Sequence, residues 1–297
     1  MSDGTKWWDV SWNPMTGCTP VSEACEHCWA ERMAGRNLPV TRCPCQYGSG
    51  RGSFGCSTCH GEGNVGFAPT FHPDRLEKPL RWHKPRRIFV NSMSDIFHEA
   101  FSDEQIARVF GIMALGSPSA LLQDGRWWPT SEPHHTHVVL TKRQERMRSL
   151  LSDPEFPNLI GSVASIVPIW PMPHVWLGVT VEDYHHLDRV NCLRDTPAAV
   201  RWISAEPLLG WLSKPECDGR KFDPTGIDWV VLGGESGPGA RPMQPEWALD
   251  VYHLCKAAGV AFYFKQWGTA KTDRRQSLYG PDIMDMEATH ELPEAGS

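Results

Sequence analysis

The chain has 297 residues, enough for one large α/β domain or two ordinary ones. Hydrophobic residues make up 40%, charged residues 22%, and the net charge is −6, an ordinary globular composition that excludes a whole-molecule basic field for gripping nucleic acid but not a local patch. No signal-peptide core and no run of about 18 apolar residues occurs, so no membrane span and a cytoplasmic location are expected.

In chain order, a short strand is expected at 10–12, followed by a cysteine-bearing loop and a helix over 29–35. Residues 38–70 are rich in Gly, Cys and Pro and lack apolar periodicity, which marks them as an insertion with its own means of folding. Six apolar, β-branched runs follow, at 87–95, 137–143, 175–183, 200–207, 228–236 and 261–267. They are apolar throughout, as parallel strands buried on both faces are. Helical patterns lie between several of them, at 103–115 with Ser102 as N-cap, 144–151, 184–194, and 245–258 with Gly259 where a helix stop belongs. The tail after Thr269 is polar and expected to fray.

Strand, loop and helix in alternation predict an α/β fold, a β/α barrel or partial barrel of six to seven parallel strands. On that reading residues 1–270 form the barrel domain, 38–70 the insertion within it, and 271–297 a polar tail. Each strand delivers polar residues at its C-terminal end, where barrel active sites are built. These are Ser92, Ser94 and Asp95; Lys142 and Arg143; Thr180, Glu182 and Asp183; Glu206; Glu235 and Ser236; Lys265 and Gln266. Any one such group is as well explained as a solvated loop start.

Ten cysteines is a high count where disulfides are disfavoured, and seven of them fall between Cys18 and Cys59. Cys192, Cys217 and Cys255 stand apart and read as buried or incidental thiols. Cys18, Cys25 and Cys28 form a C-x6-C-x2-C run. Three soft thiolates from one loop suit a 4Fe-4S cluster with one iron left open to a cofactor, while structural zinc with His27 or a remote cysteine as fourth ligand is the alternative.

Several segments carry a resemblance. Residues 12–18 (Trp-Asn-Pro-Met-Thr-Gly-Cys), Cys25-x-x-Cys28 followed by Trp29-Ala30-Glu31, and 71–76 are among them. So are 88–98, 140–143, 176–179, 203–208, 233–237 and 264–268. Through them the chain resembles a phage-associated family of three-Cys-motif proteins of unknown function. That family in turn resembles the radical S-adenosylmethionine superfamily, including its spore-photoproduct-lyase-like members. The superfamily's usual spacing is C-x3-C-x2-C with an aromatic residue just before the last cysteine. Here the first gap is six residues and Trp29 follows Cys28. The resemblance implies a cluster that chelates S-adenosylmethionine and, given an electron from a reductant protein, yields a 5′-deoxyadenosyl radical. It also implies a nucleic acid or nucleotide as substrate.

The chemistry of the cofactor's amino, carboxylate and ribose groups makes Ser92, Ser94 and Asp95 the first choice for its contacts. Gly233, Gly234 and Glu235 resemble the superfamily's Gly-Gly-Glu motif on a late strand. Glu182 is a further cofactor candidate, and Lys142, Glu206 and Lys265 are candidate catalytic groups.

Cys43, Cys45, Cys56 and Cys59 form a second, C-x-C and C-x2-C, set that suits tetrahedral Zn2+, with a second iron–sulfur cluster as the alternative. Its purpose reads as a staple for a coreless loop, or as a nucleic-acid or protein contact through Arg36, Arg42, Arg51, Tyr47 and Phe54. The densest basic run, 81–87, could meet phosphate or be a solvated entry to the next strand. A zinc-stabilised nucleic-acid-binding or interaction protein without catalysis is the alternative to the radical enzyme. A metal-dependent hydrolase is weaker, for want of His/Asp pairs at strand ends.

Overall fold

In a computed structural model, the residues described are 6–35, 65–115, 121–122, 135–213, 221–272 and 280–293. They belong to two compact units, residues 8–175 and residues 176–297, the latter joined by 1–7. Cys43, Cys45, Cys56, Cys59 and Cys217 lie outside the described residues.

In the first unit, β1 (Val10–Trp12) pairs in parallel with β4 (Arg87–Val90), and β4 with β6 (Thr136–Thr141). Between them β2 (Met15–Thr16) pairs antiparallel with β3 (Thr70–Phe71), and α1 (Trp29–Ala34) follows the cysteine loop. Helix α2 (Asp103–Leu115) buries Ile106, Val109, Phe110 and Met113, the i, i+3, i+4, i+7 stripe its sequence requires. Ser102 and Gln105 cap it reciprocally, each backbone N–H donating to the other's side chain. A short β5 (Leu121–Leu122) pairs with β7 (Ile166–Val167), and β6 leads into α3 (Gln144–Leu151) and α4 (Phe156–Ala164). The sequence pattern gave no expectation for α4. Its first turn holds Pro157, which needs no N–H there.

Near the start of β6, three imidazoles line up in the interior. The His137 ring lies 6.2 Å from that of His135 and 5.8 Å from that of His174. His135 and His174 each place Nε2 within hydrogen-bond distance of a carbonyl, Pro79 at 3.2 Å and Met113 at 2.8 Å. Burial, and then the two neighbouring histidines, push His137 well below its ordinary pKa.

The second unit contains β8 (Val175–Thr180), β9 (Val200–Ala205), β10 (Trp229–Gly233) and β11 (Ala261–Gln266), paired in that order and all parallel. Every residue of β8 and β10 is buried, which accounts for their unbroken apolar sequence. Helix α5 (Asp188–Arg194) follows β8, and α6 (Pro245–Ala258) precedes β11, ending at Gly259 with φ 68°. Trp7, Trp202 and Trp229 pack with ring centroids 5.0 to 5.4 Å apart, and Trp176 adds a fourth ring 5.9 Å from Trp229. The tail expected to fray instead forms α7 (Asp282–Ala288), with Ile283 and Met286 buried one turn apart, and Glu291 accepts from the Phe262 N–H at 2.9 Å.

The protein is therefore a mixed α/β chain, with seven parallel strands among the described residues, three in the first unit and four in the second. No helix among the described residues is long and apolar enough to cross a membrane.

Candidate metal and cofactor site

The C-terminal ends of β1 and β4 are tied together before any cysteine is reached. Asn91, just past β4, adopts φ 57° and donates its N–H to the Trp12 carbonyl at 2.8 Å. Asparagine is among the few residues that tolerate this conformation. Asn13 accepts from Ser92 Oγ at 3.2 Å and from the Met93 N–H at 3.0 Å. Gly17 then turns the chain with φ 82° against the bend that precedes β3, where a Cβ would lie 2.1 Å from the Ala68 carbonyl oxygen. Its N–H donates to Met93 O at 2.8 Å, and Ser94 Oγ donates to its carbonyl at 2.9 Å.

Cys18 follows, on a loop that reaches α1 at Trp29. Cys18, Cys25 and Cys28 are all half-buried free thiols. Ser22 Oγ lies 3.8 Å from Cys25 Sγ, and Cys28 packs against the cluster of Ala30, Ala34 and Met93.

Cys18 is held by Arg143, just past β6. Guanidinium Nη1 donates to Cys18 Sγ at 3.3 Å and reaches Asp95 Oδ2 at 3.5 Å. Nη2 donates to the Thr19 carbonyl at 3.1 Å and to Thr19 Oγ1 at 3.0 Å, and Nε to both oxygens of Glu99 at 3.0 Å. All five guanidinium hydrogens therefore have an acceptor. Thr19 Oγ1 also meets His98 Nε2 at 2.9 Å. Because His98 Nδ1 accepts from the Ala100 N–H at 3.1 Å, the hydrogen-bond network assigns the proton to Nε2.

Burial and the Asp95 carboxylate push the Cys18 thiol up to about 11, with Arg143 pulling the other way. Burial, then Arg143, holds His98 below its ordinary value. Glu99 is held low against the effect of burial, by a backbone hydrogen bond and by Arg143.

The expected cofactor residues are largely engaged with the protein itself. Asp95 accepts from Thr141 Oγ1 at 2.8 Å, from the Lys142 N–H at 3.0 Å and from the Phe97 N–H at 3.0 Å. Ser92 and Ser94 serve the strand-end contacts above. Lys142 is half-buried beside Asp95. The sequence placed both Lys142 and Arg143 at the strand end but chose Lys142 as the catalytic candidate. Alternation along a strand was the available signal: Thr141 and Arg143 share a face and Lys142 takes the other. Thr19, His98 and Glu99 carried no signal of their own, since a lone His or Glu in a loop is usually solvated.

In the second unit, Glu206, Lys265, Gln266 and Ser236 come together after β9, β10 and β11. Lys265 Nζ donates to both Glu206 oxygens at 2.7 and 2.8 Å, each side chain being 20% exposed, and Gln266 Nε2 donates to Ser236 Oγ at 2.7 Å. Glu182 and Glu235 are deeper. Arg189 reaches Glu182 at 2.7 Å, and Arg241 grips Glu235 at 2.6 Å and through its own N–H at 2.7 Å. Gly234 gives the end of β10 close passage: a Cβ there would lie 2.0 Å from the Trp267 carbonyl oxygen. At Gly233 it would lie 3.2 Å from the Glu206 carboxyl.

Among the described residues, no three His, Cys, Asp or Glu side chains converge into a ready metal site. The three thiols nevertheless fit an iron–sulfur cluster in donor type and number, and none is tied up in a disulfide.

Parallel strands connected by helices, with a tri-cysteine loop at the ends of two of them, define an α/β protein with three free thiols at a strand-end rim. The chain belongs to the family described as "Protein of unknown function (DUF5131)", which it matches over residues 3–293. No curated protein and no solved structure matches it.

Proposed function

We propose that this chain is an iron–sulfur enzyme that uses S-adenosylmethionine for radical chemistry on a nucleic acid or nucleotide, with its parallel strands forming a partial β/α barrel. One observation carries the reading: three half-buried free thiols share a single loop at the C-terminal ends of β1 and β4. A bound cluster would supply one electron to cleave the sulfonium of S-adenosylmethionine. Cys18, Cys25 and Cys28 would hold it. Asn13, Ser92, Ser94 and Asp95 fix the strand ends beneath the loop. Lys265 and Glu206 form an accessible ion pair that can bind or protonate a polar substrate group, and Lys142 stands as a third catalytic group.

The test is anaerobic reconstitution of the full chain. The expected result is a brown protein with about four irons per chain, loss of that iron on Cys18→Ala or Cys25→Ala, and release of 5′-deoxyadenosine in the presence of a reductant. A colourless protein that retains only zinc would sink this reading.

The second reading, a zinc-stabilised nucleic-acid-binding protein without catalysis, is favoured by the segment 75–87. It carries six Lys or Arg and one acidic residue in a chain of net charge −6. Lys78, Arg81, His83 and Lys84 within it are exposed.

A further inference from the structure

This inference rests on the iron–sulfur reading. We propose that Arg143 is the positioning residue of the cluster: it clamps the cysteine loop to the end of β6, and its hydrogen bond to the Cys18 sulfur raises the cluster's reduction potential.

The argument starts from how the guanidinium is held. Its side chain is 5% exposed, and its acceptors surround it: Glu99 outside, Asp95 beneath, Thr19 and Cys18 on the loop. Arg143 neutralises the buried Asp95, but that is not all it does: the contact, at 3.5 Å, is the longest the guanidinium makes. The shorter bonds run to Glu99, Thr19 and the sulfur. Lysine could not replace them, since an ammonium has three donors and no planar fork.

An N–H donated to a ligating sulfur withdraws electron density from it and stabilises the reduced, more negative cluster. A guanidinium does so at every working pH because it does not deprotonate. Two bonds to Thr19, the residue after Cys18, fix where that sulfur sits.

The experiment compares the full-length wild type with Arg143→Lys, Arg143→Gln and Glu99→Gln. Each is reconstituted anaerobically and titrated with dithionite and mediators, with the reduced cluster followed by electron paramagnetic resonance. The midpoint should fall in Arg143→Gln, and less in Arg143→Lys, which keeps the charge. Glu99→Gln keeps the guanidinium on Cys18 and removes an exposed negative charge, so its midpoint should not fall, and Arg143→Lys serves if Arg143→Gln takes up no iron. A midpoint unchanged or raised in the Arg143 variants that hold iron overturns the tuning role.

Hydrogen exchange of the metal-free full chain separates this inference from the reading beneath it. Arg143→Gln should speed exchange over residues 17–28 by roughly tenfold or more, the loss expected for hydrogen bonds to a charged group. Unchanged exchange overturns the clamp. A wild type that takes up no iron at all sinks the iron–sulfur reading, while the exchange arm still decides whether Arg143 holds the loop.

Discussion

Asp95 has more of its hydrogen-bonding capacity committed to the protein than a cofactor ligand would leave. A Thr141 hydroxyl and two backbone N–H groups depend on it. Asp95→Ala should therefore cost about 2–4 kcal/mol, since each buried donor left without an acceptor costs about 1–3 kcal/mol. Urea denaturation of the metal-free chain measures this. A loss below about 0.5 kcal/mol, the range of neutral surface changes, would return Asp95 to the set of pure cofactor contacts. The case shows what a sequence can and cannot say about a residue. That polar groups gather after Val90 was legible, because an apolar run ending in Asn-Ser-Met-Ser-Asp has no other place for them. Which of them face a ligand and which fasten the backbone depends on partners 46 to 80 positions away, such as Thr141 for Asp95 and Asn13 for Met93. No local pattern encodes those pairings.

Among the elements, the strands and the longer helices were readable from the chain, and for physical reasons. β8 and β10 are apolar because both faces are covered, and α2 and α6 carry stripes long enough to show a period. α4 and α7 were not read: α7 shows only one turn of apolar spacing, Ile283 with Met286, while the stripe of α4, Phe156, Leu159, Ile160 and Val163, is obscured by Pro154 and Pro157 around its start. Gly234 belongs to this scale as well. The Gly-Gly-Glu stretch resembles a cofactor motif, yet the backbone of Trp267 and Gly268 occupies the space a side chain at Gly234 would need. Gly234→Ala should destabilise the chain by about 2 kcal/mol or more, as overpacking against backbone does, read as a lowered thermal midpoint without cofactor. If the variant keeps wild-type stability and loses only S-adenosylmethionine binding, the glycine serves the ligand.

Over the whole molecule, two properties follow from where charge is placed. The first is acid sensitivity. Burial, and then Arg75, brings His72 down to about 3, and His137 is likewise held neutral in the interior. Both folded values lie below the unfolded one of about 6.5, so below that pH the unfolded chain takes up protons the folded chain refuses. Their contribution to stability is complete above about pH 6.5 and is lost as pH falls below it, by up to about 1.4 kcal/mol per pH unit for each histidine. His137→Phe should therefore lose less of its thermal midpoint between pH 7 and pH 5 than the wild type. Equal losses would mean His137 is not carrying that load. The second property is the basic segment 75–87. Its last residues lead into β4, at the opposite end of that strand from the cysteine loop, while the carbonyl of its first, Arg75, accepts from Trp12 Nε1 at 2.8 Å. Should it grip a phosphate backbone, Arg81→Ala with Lys84→Ala and Arg87→Ala should weaken oligonucleotide binding and reduce the salt slope by about two to three, measured by fluorescence anisotropy. An unchanged slope would mark the segment as a solvated strand entry.

The partners of Cys18 also have a consequence in time. The most distant, Arg143, is 125 positions away, and both belong to the first compact unit. A chain leaving the ribosome N-terminus first thus has every group of that clamp in hand before Val175 has been added. On the proposed iron–sulfur reading, loading the thiols would not have to wait for the last four strands to be translated.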